Sequence, residues 1–318
     1  MAIKRPEELT FTDKTFSMII YGSPGLGKTT LALSAPDPVL IDFDRGVSRV
    51  KAQHRKLTIE SSTYEEVLYD IQSPEVAACK TIIIDTGGSF VTYLQDWAMR
   101  TDPKTNRNKN GSFSIKGYGT VKAEFARFTS HIRDVMHKNI IYVFHSDEKQ
   151  DKDGTPIQRL LCEGSTKNIV WQPCDLGGYV QMIGTQRVIC FTPETEFFAK
   201  GCYGIEGQRN IPKLTKDTPN DFLTKLFDEA RANIASEQEA FGPTKEQYEQ
   251  AMSEVREIID SITDGVTATR AVNSIPGINH ALTSLKEARA MFGDKVKALG
   301  LVWDAEKKEY TASSKEGE

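Results

Sequence analysis

Eight residues, Gly22-Ser23-Pro24-Gly25-Leu26-Gly27-Lys28-Thr29, restrict the possible folds of this chain more than any other stretch. They fit the pattern G-x-x-x-x-G-K-[ST] and follow an apolar run, Phe16–Tyr21, that stops abruptly at glycine, as a buried parallel strand does. Good helix formers continue over Leu26–Ser34 and end before Pro36 and Pro38, since proline lacks an amide hydrogen and restricts the residue in front of it. Strand, glycine-rich turn and helix in that order make a loop whose amides, from Gly22 through Thr30, can gather round an anion, because glycines bend the backbone without Cβ clashes. Lys28 is then expected to reach the β/γ-phosphates of a nucleotide, and the Thr29 hydroxyl to ligate Mg²⁺.

The rest of the first 235 residues repeats the alternation. Strands are predicted at Pro38–Phe43, Lys80–Asp85 and Asn139–Phe144, with helices at Thr63–Gln72 and Val121–His137. That order indicates an α/β fold with a parallel sheet flanked by helices. Short strands at Tyr179–Gly184, Gln186–Thr192 and Glu196–Lys200 read as a β-rich extension, and Thr218–Ala235 as the last helix of the main domain. Residues 236–318 are read as a separate, mainly helical region. It opens on a polar hinge, Ser236–Pro243, followed by helices at Thr244–Ile262 and His280–Leu299, a hairpin from Gly300 to Tyr310, and a frayed Thr311–Glu318.

Charge is uneven. The net charge is −4 over 318 residues, but from Asn233 onward fifteen Asp/Glu face ten Lys/Arg, a net of −5, which leaves about +1 for the body. A near-neutral body does not bind nucleic acid by bulk charge, so such binding would fall to local loops. The apolar runs are far shorter than the roughly 20 residues of a bilayer span, and Met1–Thr10 lacks a signal peptide's apolar region, so a cytoplasmic protein with no membrane partner is expected. Five widely spaced cysteines with no Cys-x-x-Cys pair argue against a disulfide framework and against structural zinc.

Two further positions carry chemistry. Asp85 ends a buried apolar strand, where a carboxylate is costly unless it is paired or near a metal, and it is the candidate for the magnesium shell. Asp42 and Asp44 close the strand after the loop helix, and one of them could orient an attacking water.

This order of parts resembles the RecA-type ATPase core, and more closely the compact phage-encoded nucleotide-binding proteins that carry it, some of which assist single-strand annealing. The resemblance covers about residues 14–230. It implies that Asp44 stands at the catalytic acid position, where Glu is usual, and that Asp85 is the Walker aspartate. It places a polar sensor at His145 or Ser146, and a basic residue acting on a neighbour's nucleotide at Lys200 or, as second choice, Arg209. It also implies a homo-oligomer, action on single-stranded DNA, and phage recombination or replication proteins as partners of the C-terminal region.

A long loop is predicted from Arg100 to Tyr118. Lys104, Arg107, Lys109 and Lys116, interleaved with Phe113 and Tyr118, suit a single strand, since cations meet phosphates and aromatic rings stack on bases. Ser146–Asn168 stands where the family's other DNA loop would be, with its basic residues balanced by acids. The chain lacks the arginine-rich lid of a small-molecule kinase and the Asn-Lys-x-Asp that reads guanine, so ATP is the expected nucleotide. An ATP-binding interaction protein with little hydrolysis is the alternative reading.

Overall fold

The computed structural model describes residues 4, 8–9, 11, 13–150, 153–163 and 166–312. The chain divides into two units, Asp13–Asn233, and the residues from Ile234 onward grouped with those before Asp13. In chain order the first unit contains β1 (Ser17–Gly22), α1 (Lys28–Ala32), β2 (Pro38–Asp42), β3 (Leu57–Ile59), α2 (Tyr64–Asp70), α3 (Pro74–Ala77), β4 (Thr81–Asp85), α4 (Gly87–Thr101), α5 (Pro103–Asn106), α6 (Ile115–Ser130), β5 (Asn139–Gln150), β6 (Pro156–Leu160), α7 (Thr166–Val170), β7 (Leu176–Ile183), β8 (Gln186–Cys190) and β9 (Gln208–Asn210).

The large sheet has the order β3-β2-β4-β5-β1-β7-β8-β9, with β6 paired to the far end of β5. From β3 to β7 all neighbours are parallel, while β8 and β9 add antiparallel strands at one edge. Every residue of β1, β2 and β4 is buried, which is why these strands read as continuous apolar runs rather than alternating ones. Beside the sheet, Phe90 of α4 is fully buried, with its ring 5.0 Å from that of Phe43, 5.9 Å from Tyr64, 5.5 Å from Phe125 and 4.9 Å from Phe128.

Several expectations need correction. Helix α4 was not foreseen. It opens on Gly87-Gly88, which reads as a turn, yet Phe90, Val91, Leu94 and Ala98 make a buried helical face, and the Thr86 side chain caps its N-terminus. The segment from Arg100 to Tyr118 is not a long loop. Arg100 lies in α4 and pairs with Glu65 at 2.8 Å, Lys104 lies in α5, and Lys116 and Tyr118 lie in α6, which starts six residues before the predicted Val121. What remains is a tight turn closed by a bridge between Arg107 and Phe113.

Strand β5 runs six residues past Phe144 and turns back as β6, so Ser146–Asn168 contains a β-hairpin. Glu196–Lys200 is not a strand and makes only isolated bridges, at Phe197 and Lys200; the outer strand is β9.

The expected hinge at Ser236–Pro243 is helical. Helix α8 (Phe222–Asp260) passes through it with Pro243 inside, and the boundary between the units falls within this helix. Beyond it lie α9 (Gly265–Ser274), also unforeseen, α10 (Ser284–Ala298), β10 (Leu301–Asp304) and β11 (Glu309–Ala312), the last two forming the expected hairpin. The core of this second unit is Val255, Ile259, Ile262, Ala268, Ala271, Ile275, Ala288, Phe292 and Val296. Of the expected frayed tail, residues 313–318 lie outside the described residues. Among the described residues, no helix is long and apolar enough to cross a membrane.

Candidate active site

Register places the chemistry at the carboxyl ends of β1, β2 and β4 and at the level of β5 that lies beside them. Gly22 of β1 lies beside His145 of β5, Asp85 of β4 beside Val143 of β5, and Asp42 of β2 beside Asp85. Because β5 stands between β1 and β4, His145 emerges between the glycine-rich loop and the two acidic strand ends. The loop itself needs glycine for contact as well as for conformation. A Cβ on Gly22 would collide with the Val180 carbonyl, and Gly27 has a φ of 69°, the left-handed region that other residues enter at a cost.

Lys28 is 5% exposed. Its Nζ donates to the Ser23 carbonyl at 2.8 Å and lies 3.4 Å from His145 Nδ1. Burial pushes its pKa down to about 8, although Asp85 and Asp44 oppose the shift. Thr29 donates from its hydroxyl to Asp85 Oδ2 at 2.6 Å. Asp85 is 4% exposed, and its pKa is raised to about 6, mainly by burial, with the Thr29 hydrogen bond pulling the other way and the charges of Asp44 and Asp42 adding to the rise. A hydroxyl and a carboxylate oxygen held together in this way are donors of the kind a small hard cation takes, so the pair fits Mg²⁺. Thr29 and Asp85 would hold the ion, which supplies charge neutralisation to the phosphates when bound.

Asp42 and Asp44 have separate roles. Asp42 is buried and accepts the amides of Gly46 at 2.9 Å and Val47 at 2.7 Å, so both its oxygens are committed to the turn after β2. Asp44 is partly exposed and faces the site. Its Oδ1 accepts from Thr86 at 3.2 Å and from Ser89, and its Oδ2 lies 3.8 Å from His145 Nε2. The neighbouring His145 ring, helped by the hydrogen bonds from Ser89 and Thr86, holds its carboxyl below the ordinary aspartate value against the opposing effect of burial.

The structure thus brings Lys28, Thr29, Asp44, Asp85 and His145 together. It adds Thr86, the cap of α4, and Ser89, which was missed because α4 itself was not foreseen. Ser146 lies one residue further along β5 and pairs with Leu160 of β6.

Lys200 is not brought to the site. Its backbone pairs with Gly177, which is in register with Ile19, and its ammonium is held by the Cys174 carbonyl. Ile19 is three residues before Gly22, so Lys200 lies about 10 Å back along the sheet, toward the amino ends of the strands. Arg209 sits on β9, three strands from β1, and pairs with Glu229 at 2.8 Å.

Of the expected strand-binding residues, Lys104, Arg107, Lys109 and Lys116 are exposed. Phe113 is not free to stack. It packs on the core against Gly117, and its ring meets Tyr118 edge-on at 5.1 Å.

A family model described as AAA domain matches residues 14–203, a span that runs from just before β1 to past Lys200 and holds every residue of this cluster. No curated protein matches the chain.

Proposed function

The chain belongs to the AAA-domain family of P-loop proteins, and we propose that it is a Mg²⁺-dependent, RecA-like ATPase that acts on single-stranded DNA in phage recombination, annealing or replication. The observation that carries the ATPase part is the convergence of Lys28, Thr29, Asp85, Asp44 and His145 at neighbouring strand ends. In this reading Lys28 leaves the Ser23 carbonyl for the terminal phosphates, and Thr29 with Asp85 holds the metal. Asp44, positioned by Ser89 and Thr86, orients the attacking water and takes its proton. His145 lies between Lys28 and Asp44, where it would sense the phosphate that separates them.

The DNA part is supported by the exposed cations Lys104, Arg107, Lys109 and Lys116 around the turn between α5 and α6. With Phe113 packed inward, contact there would be chiefly with phosphates. A cytoplasmic homo-oligomer fits this activity, with the acidic C-terminal unit contacting recombination or replication proteins.

A second reading is an ATP-binding regulatory protein with weak hydrolysis. It is favoured by Asp44 itself, because a carboxyl held below its ordinary pKa is a weaker base than a free one. ATP hydrolysis measured with and without a single-stranded oligonucleotide separates the two. Stimulation by DNA supports the first, and slow turnover unaffected by DNA, with tight ATP binding, supports the second.

A further inference from the structure

Arg187, at the second position of β8, is a cation that the sequence pattern does not single out. Its Nη1 donates to the Leu26 carbonyl at 3.0 Å, and a Cβ on Gly27 would collide with the same nitrogen. The guanidinium therefore lies against two consecutive residues of the phosphate loop. Its backbone is fixed in turn. Arg187 pairs with Met182 of β7, and its carbonyl accepts from the Ile211 amide at 2.9 Å and from Gln186 Nε2 at 2.8 Å.

Arg187 is half-buried, and among the described residues no carboxylate forms an ion pair with it. Burial lowers its pKa with no opposing charge. A desolvated cation without an anion is costly, and the anion this loop is built to collect is a polyphosphate.

We propose that Arg187 is a positioning residue of the nucleotide site. By holding the Leu26 carbonyl it keeps the amides at Gly25, Gly27 and Lys28 turned toward a bound nucleoside di- or triphosphate, and it adds a fixed positive charge beside them. This inference rests on the phosphate-loop reading of Gly22–Thr29. It concerns binding of the polyphosphate common to ADP and ATP rather than the hydrolytic step.

The test is calorimetry of ADP and ATP binding, with Mg²⁺, to the full chain carrying Arg187→Met, Arg187→Lys or Lys28→Ala, alongside thermal unfolding and steady-state hydrolysis. Arg187→Met is expected to raise the Kd for both nucleotides by about tenfold, as loss of a charge-assisted hydrogen bond does, with the rise in KM exceeding any fall in kcat. Arg187→Lys should recover part of the affinity, since it keeps the charge and loses the planar fork.

Wild-type affinity in folded Arg187→Met, with Lys28→Ala unable to bind, overturns the inference and leaves the phosphate loop standing. Equal losses in Met and Lys together with a lowered unfolding midpoint also overturn it, since they mark a packing role. Tight binding by folded Lys28→Ala removes the phosphate-loop reading instead. If Arg187→Met fails to fold, Arg187→Lys carries the test. Affinity between wild type and Lys28→Ala at an unchanged midpoint supports the inference, and unchanged affinity overturns it.

Discussion

The hydroxyl of Thr29 donates to Asp85 Oδ2 at 2.6 Å, which ties the phosphate loop after β1 to the end of β4 across the intervening strand β5. Asp85→Asn keeps the shape and removes the charge. ATP binding by this variant should lose its enhancement by Mg²⁺, with metal affinity falling about 10–100-fold. Calorimetry with and without Mg²⁺ checks this, and an undiminished enhancement removes Asp85 from the metal shell.

Lys28 has its pKa pushed down to about 8, so the free protein loses this proton well before an ordinary lysine would. Bound phosphate favours the charged form and raises the pKa again. ADP affinity measured without Mg²⁺ should therefore be insensitive to this group below pH about 8 and decline as pH rises toward about 10. Binding at pH about 9 should take up a proton, seen as a dependence of the calorimetric heat on buffer ionisation enthalpy. Lys28→Ala should abolish tight binding in a folded protein. Affinity that stays level from neutral to alkaline pH would contradict the placement of Lys28 on the phosphates.

Asp44→Asn should spare ATP affinity and slow hydrolysis by about 10²–10⁴-fold, the usual contribution of a positioned base. Ser89→Ala, which removes one of the groups holding Oδ1, should give a smaller loss in the same direction. Single-turnover hydrolysis at saturating ATP measures both. A normal rate in Asp44→Asn assigns the base elsewhere.

If the turn between α5 and α6 meets a single strand, each of Lys104, Arg107 and Lys109 changed to Ala should lower the log–log salt dependence of binding by about 0.7. Fluorescence anisotropy over a salt series reads this slope. Phe113→Ala should act differently, reducing stability through lost packing on the core. Binding that survives replacement of all three cations rejects this turn as the contact.

Phe90 is fully buried among Phe43, Tyr64, Phe125 and Phe128. Phe90→Ala should cost about 3–5 kcal/mol in denaturant unfolding. A loss below about 1 kcal/mol would show that the surrounding rings close the cavity.

The central strands were legible because β1, β2 and β4 are buried throughout and so carry unbroken apolar residues next to glycine or aspartate. The phosphate loop and Asp85 were legible for the same reason, each lying directly against such a strand. Helix α4 was hidden by its Gly87-Gly88 start, although Phe90, Leu94 and Ala98 recur at fourfold spacing and could have revealed it. Ser89 was lost with it. Arg187 left no local trace, since its contact with Leu26 spans 161 positions and depends on how β8 folds back beside β7. Nor could spacing separate Asp42 from Asp44, because residues two apart share a strand face; the turn after β2 commits one of them to backbone amides.

That commitment bears on how a mutational screen of this protein would be scored. Asp42 lies two residues from the proposed base and accepts the amides of Gly46 and Val47. Its replacement by alanine would leave the buried Gly46 amide and the part-buried Val47 amide without their acceptor and slacken the segment that presents Asp44. In an activity screen such a variant would be indistinguishable from a lost catalytic group, and an acid with no part in the chemistry would be counted as essential. Asparagine at position 42 exposes the error, since its amide oxygen still accepts one of the two hydrogen bonds, whereas asparagine at position 44 removes the base altogether.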